Sequence, residues 1–231
     1  QHISDAVLGA PVTGDHQANA FLFSQQGDVV GGLAGDKAIR ARINSFLQVA
    51  AAGNDMRYSD EKVLAARNFA NKLWNASRFV QMNLPEDFQP GLPAEEQLDM
   101  SDKWVLSELA KMAADATANL DKYELGLAAE KVENFIWEVY CDWYIEICKT
   151  RLNGDDAQAA DTARKVLVYV LDRALKLLHP FMPFITEEIY QALPGSGETI
   201  MTQLWPGNEN MKIWAEDCAD FEKLMDYIKA V

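Results

Sequence analysis

From Asp36 onward the apolar residues of this chain recur every three or four positions, and glycine or proline closes most of the segments they form. That periodicity suits helices packed by one apolar face, not the two-residue alternation of strands. DKAIRARINSFLQVAAAG ends on Gly53, and the next segment, capped by Ser59 or Asp60, runs to about Asn83 before Pro85. Ser101 and Asp102 offer caps for KWVLSELAKMAADATANLDKYE. After Gly126 comes LAAEKVENFIWEVYCDWYIEICKTRL, whose aromatic residues, with Trp104 before them, are spaced for one buried face. NGDD makes a turn, and TARKVLVYVLDRALKLLH is stopped by Pro180, with His179 placed to bond last-turn carbonyls. A shorter helix starts at Pro183, with Thr186 as cap and Glu187 and Glu188 in its first turn. TIMTQLWP reads as a short extended segment near 199–206, and the last helix begins near Asp217 or Asp220. The expected fold is an all-α helical bundle over 35–195, with the extended segment and terminal helix of 196–231 packing on it. Residues 1–34 carry no comparable pattern.

A chain of 231 residues, 49% hydrophobic and 24% charged, is long and apolar enough to bury a core. No apolar run reaches the roughly 18 residues that would span a bilayer. The first residues lack the charged and apolar regions of a secretory signal. A cytoplasmic protein with no membrane partner is expected. Cys141, Cys148 and Cys218 show no metal spacing, and the first two, seven apart, read as small core residues on one helical face. With three histidines and no glycine-rich phosphate loop, the composition offers no catalytic residue, metal ligand or cofactor site of its own.

The formal net charge is −14, yet from Lys62 to Pro85 there are four bases (Lys62, Arg67, Lys72, Arg78) and no acid. On a helical wheel Phe69, Leu73, Ala76 and Val80 centre an apolar arc that Ala66, Ala70, Ser77, Leu84, Val63 and Trp74 extend. The opposite arc, about 160° wide, holds Arg67, Asn68, Asn71, Lys72, Asn75, Arg78 and Asn83, together with Leu64, Phe79 and Met82. Unpaired nucleic-acid bases need π-faces to stack on and amides to read their edges, and phosphates need Arg or Lys. The surrounding acids do not forbid such a ligand, since charges beyond about 8 Å are screened at physiological salt. The alternative is structural: neighbouring acids could pair with these bases, and another helix could cover Phe79. Arg164, Lys165 and Lys176 form a weaker basic set. The six acids from Glu86 to Asp102 would repel RNA, so that loop is expected to point away from a nucleic acid.

Several stretches resemble one family. GNDMRYSDEKV, ARNFANKLWNASRFVQMNL, ENFIWEVYCDWYIE and LHPFMPFITEEIYQALP with TIMTQLWP are similar to the helical anticodon-binding domain of valyl-tRNA synthetases, class I aminoacyl-tRNA synthetases. The FIWEVYCDWYIE and HPFMPFITEEIY patterns occur across the class I enzymes for branched aliphatic amino acids, and GNDMR with NFANKLWNASRFV points to the valine member. The resemblance covers about Gly53 to Pro206. It implies a bundle of the class I anticodon-binding type, a tRNA anticodon stem-loop as partner, and the rest of a synthetase as its context. It also implies ATP-dependent attachment of valine to tRNA in the parent enzyme. The HIGH-type and KMSKS-type motifs of that chemistry are absent here, HISD at 2–5 lacking the required glycine, so ATP and valine have no site in this chain. Such a chain resembles an excised domain, or a piece with an unrelated or diverged N-terminus, and should not aminoacylate. On this reading Phe79 stacks an anticodon base, Arg67, Lys72 and Arg78 take phosphates, and Asn68, Asn71 and Asn75 meet base edges or riboses. A monomer is expected from the many acids. Competing readings are the equivalent domain of an isoleucine or leucine enzyme, a helical protein-interaction module descended from such a domain, and a stand-alone enzyme.

Overall fold

The computed structural model describes residues 60–207 and 211–230. The expectations for residues 1–34, the helix over 36–53 and the Ser59 cap lie outside them. The first helix, α1 (Asp60–Met82), closes as Arg164 donates from Nε to Asn83 O at 2.7 Å. Phe69, Leu73, Ala76 and Val80 are buried along it, with Ala66, Ala70 and Ser77 beside them, as the periodicity requires. A loop containing one 3-10 turn (Glu95–Gln97) leads to α2 (Met100–Asp121).

The cap of α2 is Asp99, not Ser101 or Asp102. Asp99 Oδ1 accepts from Asp102 N at 2.8 Å, and Asp102 Oδ2 accepts from Asp99 N at 3.1 Å, a reciprocal capping box. Arg151 settles the choice, since its guanidinium reaches Asp99 at 2.9 Å and Asp102 at 2.7 Å and holds both carboxylates at one helix end.

After a turn at Tyr123, whose φ of 60° is left-handed, one continuous helical rod runs to Leu152. It starts one residue before Gly126 as α3 (Leu125–Asn134), widens into a π-helical stretch (Phe135–Tyr144), and ends as α4 (Ile145–Leu152). The widened turn, bonded i to i+5, is uncommon in proteins. Two tethers hold it: Tyr140 Oη donates to Leu167 O at 3.0 Å and Tyr144 Oη to Asp102 Oδ1 at 2.5 Å. Asp156 then caps α5 (Ala157–Leu178), accepting from the N–H groups of Gln158 and Ala159. The buried Leu167, Leu171, Leu175 and Leu178 of α5 lie at the centre of the bundle, each such burial stabilising by roughly 1.5–3 kcal/mol.

Pro183 opens α6 (Pro183–Gln191) as expected, but Thr186 is not its cap and neither glutamate is in the first turn. Thr186 is buried and donates to Met182 O at 2.8 Å, leaving its oxygen 2.7 Å from His179 Nδ1. His179 thus ties the end of α5 to α6 instead of bonding last-turn carbonyls. Glu187 accepts from Thr199 Oγ1 (2.9 Å), Gln191 Nε2 (2.8 Å) and Ile200 N (3.3 Å), pinning the next segment. That segment is extended at Thr199 and Gln203 around one 3-10 turn (Ile200–Thr202), and Trp205 Nε1 anchors it on Thr117 of α2 at 2.9 Å. The last helix, α7 (Ala215–Lys229), packs on α2 through Trp104 and Phe221, ring centroids 4.8 Å apart. Among the described residues there is no strand, and the fold is all-α.

Candidate nucleic-acid interface

Where α1 passes the π-helical stretch and α4, the two leave a groove of about 490 Å³. Five of the seven residues singled out on α1 line it: Asn68, Asn71, Lys72, Asn75 and Phe79. The opposite wall is Cys141, Asp142, Ile145, Glu146 and Lys149. Arg67 is exposed and Arg78 half-buried, its Nε out of reach of solvent, and neither belongs to the lining.

The lysines of the groove are engaged. Lys72 Nζ lies 2.5 Å from Asp142 Oδ1 and 3.9 Å from the centroid of the Trp137 ring, which itself stacks near Phe69. Lys149 Nζ is 2.6 Å from Glu146 Oε1 and 5.7 Å from the centre of Phe79. Phe79 is half-buried against the core rather than standing free. The asparagines differ: among the described residues none hydrogen-bonds the side chains of Asn68, Asn71 or Asn75. Two cations, two carboxylates, three open amides and one ring make a polar groove that is neutral overall. Cys141 is no nucleophile here, because burial pushes its thiol up to about 12.

Sequence reasoning about α1 missed the acids of this groove. Asp142 and Glu146, four apart beside core-facing Tyr140, Cys141, Tyr144 and Ile145, do mark a wet face of their helix. What no local pattern says is that this face meets Lys72, 70 residues earlier. The weaker basic set is also engaged: Lys165 pairs with Asp161 at 2.8 Å and Lys176 with Asp172 at 2.8 Å, while Arg164 binds Asn83 O. Lys176 lines a second cavity of about 590 Å³ with Tyr169, Asp172, Arg173 and Tyr190, where Asp172 faces both cations. In the acidic loop, Glu95 is tied to Lys212 and to Trp214 Nε1, and Asp99 and Asp102 to Arg151.

A family model described as the anticodon-binding domain of tRNA ligase matches residues 102–231. Valine–tRNA ligase of Carboxydothermus hydrogenoformans is 50% identical over 179 residues, 78% of this chain and 20% of that protein. The valine–tRNA ligase of Staphylococcus epidermidis is 46% identical over 180 residues, again 78% of this chain and 20% of the relative. The chain thus spans about one fifth of the length of these curated relatives. Among solved structures, the LeuRS of the Agrobacterium radiobacter K84 LeuRS–tRNA–LeuAMS ternary complex superposes with a TM-score of 0.55 at 16% identity. That match covers 79% of this chain and 21% of the other, and shows the shared fold. From the family match, the high identity to valine–tRNA ligases and the all-helical bundle together, the chain belongs to the anticodon-binding domain family of tRNA ligases, on its valine-ligase branch.

Proposed function

We propose that this chain recognises the anticodon stem-loop of valine tRNA, as the recognition part of an enzyme that attaches valine to tRNA with ATP. The observation that carries the reading is the groove. It aligns three amides, unpartnered among the described residues, beside an aromatic ring, the groups an unpaired base needs for edge reading and stacking. Asn68, Asn71 and Asn75 meet base edges or riboses, Phe79 offers a ring to an anticodon base, and Lys72 lines the same groove, paired with Asp142. Arg67 and Arg78, outside the lining, take backbone phosphates on its flank. The chemistry of ATP and valine belongs to other parts of the parent, and this chain holds no cofactor. It works as a cytoplasmic monomer within that enzyme, with no membrane contact.

The test is a titration of the 231-residue chain with the valine tRNA anticodon stem-loop and with the same hairpin bearing a scrambled loop. Phe79→Leu keeps an apolar side chain in the packing but removes the π-face, and should weaken cognate binding by roughly 1–3 kcal/mol. Arg67→Ala should weaken both hairpins alike and flatten the salt dependence. Equal binding of the two hairpins by the wild-type chain would leave only a generic backbone contact, and no binding at low salt would turn the search toward a protein partner.

A further inference from the structure

Among the described residues the groove's lysines are already paired while its amides are not, and that contrast has a use. We propose that Asp142 and Glu146 are specificity-determining residues: by holding Lys72 and Lys149, they deny the groove to the phosphate backbone and reserve it for an unpaired base. This rests on the reading of the groove given above.

Backbone contacts add affinity without sequence information, while base edges carry the discrimination. A groove with two free lysines would draw any RNA strand by its phosphates. Here Asp142 stands 2.5 Å from Lys72 and Glu146 2.6 Å from Lys149, and both acids line the groove. Their side chains are 51% and 58% exposed, and both border the space a ligand would occupy. Ion pairs this exposed contribute little to folding, which leaves stability a weak reason for placing carboxylates there. Lys72 does not depend on Asp142 for its position alone, since the Trp137 ring lies 3.9 Å beneath its ammonium. A phosphate approaching either lysine must displace one carboxylate while the other repels it. A neutral base meets no such repulsion, and it finds Asn68, Asn71 and Asn75 with donors and acceptors unspent.

The experiment compares the wild-type chain with the Asp142→Asn/Glu146→Gln double variant, using the valine anticodon hairpin and its scrambled-loop counterpart over a salt series. An Asp161→Asn/Asp220→Asn double variant is the control. It removes the same charge from exposed pairs with Lys165 and Lys223, away from the groove. The groove variant should bind the scrambled hairpin about tenfold tighter, with a much smaller gain for the cognate one, so that discrimination falls. Its salt dependence should steepen by about 1.4, two added single-strand phosphate contacts at about 0.7 each. Discrimination and slope left unchanged, or shifted equally by the control, would overturn the proposal while leaving the groove a base site. Should the wild-type chain bind both hairpins alike, the base-site reading falls first and this proposal with it.

Discussion

The Tyr144 hydroxyl donates to Asp102 Oδ1 at 2.5 Å, joining the π-helical stretch to the first turn of α2 inside the bundle. Asp102 is wholly buried, and Arg151 binds it through both carboxylate oxygens at 2.7 and 3.0 Å. Although burial disfavours its charge, the hydrogen bonds and charge of Asp102 hold the Arg151 guanidinium above its ordinary pKa. Asp102→Ala leaves that cation with only Asp99 and the Ala159 carbonyl and should cost about 3–5 kcal/mol in urea denaturation. Tyr144→Phe removes one charge-assisted hydrogen bond and should cost about 1.5–3 kcal/mol. If Asp102→Ala melts like wild type, the network is not what joins these helices.

Acid should loosen the α5–α6 corner in two steps. Burial lowers the His179 imidazole below its ordinary 6.5, partly opposed by Glu187. The unfolded chain therefore takes up that proton first, so this contribution is present above about pH 6.5 and lost as pH falls below it. Burial works against ionised Glu187, but hydrogen bonds from Thr199, Gln191 and the Ile200 N–H hold its carboxyl below its ordinary 4.5. Its contribution is present above about pH 4.5 and is lost as pH falls through the folded-state value. Thermal melts between about pH 7 and pH 3 should show both limbs, with His179→Gln flattening the upper and Glu187→Gln the lower. Identical profiles in all three proteins would remove these groups from the account.

The thiols offer a third check. All three cysteines are buried, and burial pushes Cys141 and Cys148 up to about 12. A disulfide reagent at neutral pH should leave the folded chain untouched for minutes and titrate every thiol once denaturant is added. Rapid labelling of Cys141 in the native chain would mean that this wall of the groove opens.

Gly195 has a φ of +77°, and a Cβ added there would lie 2.7 Å from Pro90 Cγ. Gly195→Ala should cost about 1–2 kcal/mol from the left-handed backbone together with the clash. Adding Pro90→Ala should recover the steric share but not the backbone share, which a double-mutant cycle by chemical denaturation separates.

Much of this fold is legible in the residues because its determinants are local. The apolar arc of α1 names its buried side chains, Pro180 and Pro183 bracket the corner between α5 and α6, and Asp156 is the last residue of the NGDD turn. The gathering of Asn68, Asn71, Asn75 and Phe79 along one line was legible for the same reason, since one helix carries them all. What escapes is set by partners far along the chain. Three candidate caps crowd DMSD, and Arg151 decides among them from 49 residues away. Thr186 looks like a cap until His179 and Met182 occupy its hydroxyl. The widened turn between Phe135 and Tyr144 depends on Leu167 O and Asp102, which no local pattern near the tyrosines reveals.

That widened turn faces two ways. Tyr140 and Tyr144 hold it from inside, while Trp137 and Asp142 on the same turns bear on Lys72 from outside. A wall shared by interior and groove passes packing changes from one to the other, so a small repacking around Leu167 or Asp102 should shift the groove's lining. In a living cell, interior substitutions in this chain would therefore surface as heat-conditional defects at temperatures where the protein is still folded and abundant.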